Sequence, residues 1–75
     1  MTREELVTWA TRNGWKLDRW GHLQKEFPNG TLRLKLSRIA ARYEQATPFG
    51  WVRLHSGYYK DLHITADGKL AGMNR

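Results

Sequence analysis

Thr31-Leu32-Arg33-Leu34-Lys35-Leu36 decides the fold. Leucine at every second position, with Arg33 and Lys35 between, has the period of a strand with one buried and one wet face. Such a strand needs neighbours along its edges and cover over its leucines, and the flanking sequence supplies both. Immediately upstream, Phe27-Pro28-Asn29-Gly30 predicts a tight turn, because proline fixes its own φ and Asn-Gly tolerates positive φ. Leu23-Gln24-Lys25-Glu26-Phe27 alternates before it and reads as the antiparallel partner. Trp15 and Leu17 alternate with Lys16 and Asp18 in a further short strand, and Arg19-Trp20-Gly21-His22 predicts the connection.

The cover comes from the first segment. Thr2-Arg3-Glu4-Glu5 fits a capping box, in which the Thr2 hydroxyl accepts from the Glu5 amide and the Glu5 carboxylate reaches back. Leu6, Val7 and Ala10, with Trp9 at the border, form an apolar stripe at helical spacing, and Asn13-Gly14 stops the helix. Trp9 and Trp15 are expected in the core.

Downstream, residues 37–46 admit two readings. Ser37 can serve as an N-cap and the segment holds good helix formers, so Ile39, Tyr43 and Ala46 would share a helix face. Alternation instead puts Ile39, Ala41 and Tyr43 on one side of a strand, opposite Arg38, Ala40, Arg42 and Glu44. Extended segments on both sides favour the strand. Thr47-Pro48-Phe49-Gly50 is another turn. Trp51-Val52-Arg53-Leu54-His55-Ser56 reads as a strand with Val52 and Leu54 inward and Trp51, Arg53 and His55 outward. Residues 57–61 form a loop, and Asp67-Gly68 between two short apolar runs suits a two-residue hairpin turn. The expected fold is α+β: one domain over residues 1–75, with an N-terminal helix on an antiparallel sheet of five to six short strands.

Composition narrows the function. Seventy-five residues, 40% of them hydrophobic, suffice for one modest core. No cysteine is present, which excludes disulfides, thiol chemistry and a Cys-based zinc site. No apolar run approaches a membrane span, so a soluble, cytoplasmic protein with no membrane partner is expected. Thirteen Lys and Arg against seven Asp and Glu give a net charge of +6. Between Thr31 and Lys60 the bases are Arg33, Lys35, Arg38, Arg42, Arg53 and Lys60, with Glu44 as the lone acid. Charge so concentrated, beside four tryptophans, three tyrosines and two phenylalanines, points to an anionic polymer.

If the helix covers the leucines, the other face carries Lys16, Arg33, Lys35, Trp51, Arg53 and His55. Trp20, Lys25, Tyr58, Tyr59 and Lys60 lie on nearby strands and loops. Cations neutralise phosphates and rings stack on bases, so RNA or single-stranded nucleic acid is the expected partner, bound without catalysis. No cofactor is implied. His22, His55 and His63 lack metal-ligand spacing, and each reads most simply as a surface histidine. Two alternatives stand beside binding. One is a protein-binding module, such as a small phage- or plasmid-type inhibitor of a nucleoprotein machine, built on Trp, Tyr and Arg contacts. A homodimer through a sheet edge is a related possibility.

The other alternative is catalytic. A ribonuclease that uses the RNA's own 2′-hydroxyl needs one or two groups that titrate near pH 7, and His22 or His55 is available, with Lys25, Arg53 or Tyr58 to assist. An amphipathic helix followed by Asn13-Gly14-Trp15, Arg19 and Gly21-His22 is similar to the start of HicA-type toxins, small ribonucleases of double-stranded-RNA-binding-like fold. The resemblance covers the first third of the chain and implies a catalytic role for His22. The chain departs from that family in having no serine between Gly21 and His22, and in continuing through two hairpin-like segments where the family closes on a helix.

Overall fold

The computed structural model describes residues 1–73. Helix α1 (Arg3–Arg12) is followed by β1 (Lys16–Leu17), β2 (Leu23–Phe27), β3 (Gly30–Leu36), β4 (Ala40–Thr47) and β5 (Gly50–Tyr58). A 3-10 turn (Tyr59–Asp61) leads to β6 (His63–Ile64) and β7 (Leu70–Ala71). The first five strands form an antiparallel meander in the order β1-β2-β3-β4-β5, and β6 pairs with β7 in a separate hairpin. The fold is therefore α+β. No helix among the described residues is long and apolar enough to cross a membrane.

Local chemistry sets the element ends. Both halves of the capping box are formed: the Glu5 amide donates to Thr2 Oγ1 at 3.1 Å, and the Thr2 amide donates to Glu5 Oε1 at 2.7 Å. Of residues 37–46, those from Ala40 onward are strand, and 37–39 form the turn before it. The Ser37 hydroxyl helps to close the preceding turn by donating to the Ala40 carbonyl. The two proline turns share one design. Pro28 and Pro48 occupy the second position, and Gly30 and Gly50 pair with the residues before the prolines at φ of +137° and +122°.

The core contains Leu6 and Ala10 of α1, Trp15, Leu23, Leu34, Leu36, Ala41, Tyr59 and Leu62. Leu6, Leu23 and Leu34 are fully buried, each contributing about 1.5–3 kcal/mol by leaving water. Trp15 stands against Phe27 and Tyr43, at centroid distances of 6.2 and 5.9 Å. Trp9 is only half-buried, and its indole N–H donates to the Gly68 carbonyl at 2.9 Å, tying the helix to the C-terminal hairpin.

Several expectations need correction. Val52 and Leu54 are not in the core: Val52 shares the helix side of the sheet with Gln45 and Leu32 but is 49% exposed, and of β5 only Ser56 and Gly57 are even half-buried. The strand pairing slips between Tyr43 and Glu44, so Tyr43 faces His55, Glu44 faces Arg53, and Leu54 is left over as a bulge. One extra residue reverses the alternation, which carries His55 to the helix-covered face and leaves Arg53 on the other. Ile39, expected inward, is exposed in the β3–β4 turn. The Asp67-Gly68 turn is a three-residue loop, Ala66 to Gly68, with Gly68 at φ +79° closing onto the Thr65–Lys69 pair.

The C-terminal hairpin is seated by two glycines. A Cβ on Gly57 would lie 2.9 Å from the Gly72 carbonyl oxygen and 3.1 Å from Leu62 Cδ2. Gly57→Ala is therefore expected to lower stability by about 1–3 kcal/mol, read as a lower urea midpoint.

Candidate functional site

One face of the sheet is covered by α1 and the C-terminal hairpin, and the other is open. Register places Lys16, Gln24, Arg33, Glu44 and Arg53 in a row straight across the five strands of the open face. A second row holds Lys35, Arg42 and Ser56. Trp51, opposite Ala46, and Tyr58, opposite Ala40, complete the face along β5. Among the described residues, five cations of the sheet strands thus share this surface with two carboxylates, Glu26 and Glu44.

Glu44 organises the middle of the face. It is 5% exposed, yet it lies on the uncovered side of the sheet, buried by its neighbours. Its Oε1 accepts from both Arg33 Nε, at 3.0 Å, and Arg33 Nη2, while Arg42 Nη1 lies 3.5 Å from Oε2. The Arg33 guanidinium in turn lies 4.1 Å from the centre of the Trp51 ring. Arg33 therefore locks β3 to β4 and β5. Its side chain is only 16% exposed. Burial pushes the Glu44 carboxyl up, but the Arg33 hydrogen bonds and the charges of Arg33, Lys35 and Arg42 outweigh it and hold the group below its ordinary value.

The expected site residues divide accordingly. Lys16, Arg33, Lys35, Trp51, Arg53 and Tyr58 come together on the open face, with Arg33 committed to Glu44. Lys60 lies beside them, its Nζ 5.8 Å from the Tyr58 ring centre. Trp20 is 67% exposed on the β1–β2 loop, with the Arg19 guanidinium 4.5 Å from its ring. Three residues are not on this surface. Lys25 lies on the helix side and donates to the Asn13 carbonyl at 2.7 Å, where an ammonium suits the C-terminal end of the helix dipole. His55 is on the covered face. Tyr59 is buried in the core, where burial raises its phenol pKa and its hydroxyl donates to the Ser37 carbonyl at 2.6 Å.

Arg42 joins the face because its segment is a strand. Glu44 was missed as an organising residue, although the lone acid in a basic stretch, two positions from Arg42, was the available signal. His22 is used structurally. Its Nδ1 accepts the Leu36 amide at 3.0 Å, and its own amide donates to Asp18 Oδ1. The acceptor nitrogen a general base would use is thus occupied by a backbone N–H. No group of three or more candidate metal ligands occurs among the described residues.

Compared with protein-family models, curated proteins and solved structures, the chain has no significant match.

Two measurements check this geometry. Arg33→Ala leaves a buried carboxylate without its hydrogen-bond partner and is expected to cost about 3 kcal/mol in urea denaturation, whereas Arg53→Ala stays within about 0.5 kcal/mol. The second is pH dependence. Asp18 resembles Glu44: burial pushes its carboxyl up, but the His22 and Trp20 amides and the Gln24 side chain hold it below its usual range. Both groups stabilise the fold fully above their unfolded-state pKa values near 4, and that stability is lost as pH falls through their lower folded values. Glu44→Gln is therefore less stable than the parent at pH 7, and the gap narrows on acidification below about pH 4, measured by urea midpoints across the range.

Proposed function

We propose that the protein binds nucleic acid on the open sheet face, with RNA and other single strands preferred over duplex DNA, and without chemistry on the strand. One observation carries the reading: an uncovered five-stranded sheet holds Lys16, Lys35, Arg42 and Arg53 around the exposed edges of Trp51 and Tyr58. Cations at strand spacing follow a phosphate backbone, and rings standing among them give bases a stacking surface. The only α-helix among the described residues packs its apolar stripe on the sheet and carries Glu4 and Glu5 in its first turn, so it is poorly suited to a major groove. Arg33 acts here by holding Trp51 and Glu44 in place rather than by contacting phosphate. A cytoplasmic location goes with this reading.

The test is salt dependence. A labelled single-stranded RNA of about ten nucleotides should bind at low salt and dissociate as salt rises. Lys35→Ala combined with Arg53→Ala should weaken binding similarly across sequences and lower the slope of log affinity against log salt by about 1.4, roughly 0.7 per lost contact. An unchanged slope with full affinity would remove this face from the binding surface.

A second reading draws on β5 itself. Among the described residues this nine-residue strand ends the sheet with its outer edge unpaired, and Trp51, Val52, Leu54 and Phe49 are exposed on or beside it. An edge of that kind also suits a second protein chain or a second copy of this one. Such a complex would persist at high salt, where nucleic-acid binding fails.

A further inference from the structure

Lys35 and Arg42 are directly opposed across β3 and β4. Like charges in that position repel and destabilise a sheet pair. Glu44 relieves only part of this, since its Oε1 is taken by Arg33 and its Oε2 is 3.5 Å from Arg42. Beside the pair opens a cleft of about 530 Å³, lined in part by Lys35, Ser37, Arg42, Ser56, Tyr58 and Asp61. Ser56 is the register partner of Arg42, so two cations and a hydroxyl stand in one line across three strands at its wall. Asp61 is the one carboxylate among the described residues that line the cleft. Tyr58 borders this cleft and a neighbouring hollow of about 550 Å³, lined by Ile39, Tyr58, Tyr59 and Lys60. The hollow thus has an apolar floor, a half-open phenol ring and an ammonium.

We propose that this end of the open face is a nucleotide subsite, in which Lys35, Arg42 and Ser56 take a phosphate group and Tyr58 takes the adjoining base. The inference rests on the nucleic-acid reading above and gives it a location and a polarity of contact. A phosphate between Lys35 and Arg42 turns a repulsive pair into two charge-assisted contacts, with the Ser56 hydroxyl as a third donor. The base then meets the Tyr58 ring, with the Lys60 ammonium at its rim. Trp51 and Arg53 lie further along β5 on the same face, where the strand continues toward the next nucleotides.

The test uses thermal unfolding of the intact chain with inorganic phosphate, with uridine 5′-monophosphate, and with chloride at matched ionic strength. A ligand that binds the folded state alone raises the midpoint. Phosphate is expected to raise the parent midpoint by about 4 °C or more at saturation. Lys35→Gln combined with Arg42→Gln should not respond, its shift being read from its own midpoint in chloride because the change also removes the Arg42 partner of Glu44. The double variant also subtracts any general salting effect of phosphate. Equal phosphate shifts in parent and variant would overturn the phosphate subsite. The nucleotide should bind at least about fivefold tighter than phosphate, from stacking worth about 1 kcal/mol or more, and Tyr58→Ala should abolish that difference. Equal affinities in the parent would overturn the base platform. Failure of the nucleic-acid reading is seen separately, as no binding of the ten-nucleotide strand by the parent, whereas a strand bound equally well by parent and double variant keeps that reading and moves the subsite elsewhere.

Discussion

The structure turns on a shortage of cover. A ten-residue helix is about 15 Å long, while five strands span about 19 Å and the nine residues of β5 extend about 30 Å. One helix and one short hairpin can shield one face, and only over part of it. The apolar residues follow that limit: Leu23, Leu34, Leu36 and Ala41 lie under the cover, while β5 from Gly50 to His55 runs beyond it with both faces wet. The opposite face has nothing to bury against, so its strands are held together by polar chemistry instead. Arg33, Glu44 and Trp51 do this on three successive strands, and Glu44 is buried by side chains of its own face rather than by a covering layer. A bare face that meets water and must still be held together becomes cationic, aromatic and ordered at once.

What could be read in advance was whatever depends on near neighbours in sequence. The capping box, the leucine alternation of β3 and the two proline turns each involve residues within a few positions, and each is present. The strand at residues 37–46 was legible only through its neighbours, since its own residues fit either period. The failures share a different cause. The bulge at Leu54 depends on how β4 and β5 pair, and a single unpaired residue moved His55 to the other face. Lys25 sits on a strand that sequence alternation describes well, but the helix end to which it donates is twelve residues away in the chain. Tyr59 follows an exposed tyrosine in what reads as a loop, and is buried because its amide donates to the Ile39 carbonyl and its phenol to Ser37, on the other side of the sheet end. Long-range contacts of this sort leave no periodic trace.

The same long-range pairing changes what the charge means. Between Thr31 and Lys60 the chain carries six bases and one acid. Pairing Arg33 with Glu44 removes one charge of each sign, so five cations still stand against no free acid in that basic set. The ion pair therefore leaves the field over the face undiminished while fixing a ring at its centre. Had Glu44 been exposed, it would have competed with an incoming anion. Buried beneath Arg33, it serves the sheet and leaves Lys35, Arg42 and Arg53 to the solvent side.

For the nucleic-acid binding proposed above, flatness would separate two kinds of ligand. A duplex presents phosphates on a convex cylinder with its bases stacked inside, and a protein reads it with an element narrow enough to enter a groove. The helix of this chain has its apolar stripe in the core, and the exposed strand edge at β5 lies in the plane of the sheet. A single strand has no such demand. It can lie across a twisted sheet, and each unpaired base can turn onto a ring where one is available. Trp51 and Tyr58 are seven residues apart on one strand and on the same face because the bulge at Leu54 restores them to it: an uninterrupted strand would have set them on opposite sides. The bulge that misdirects His55 is thus also the feature that brings the two rings onto the cationic surface together.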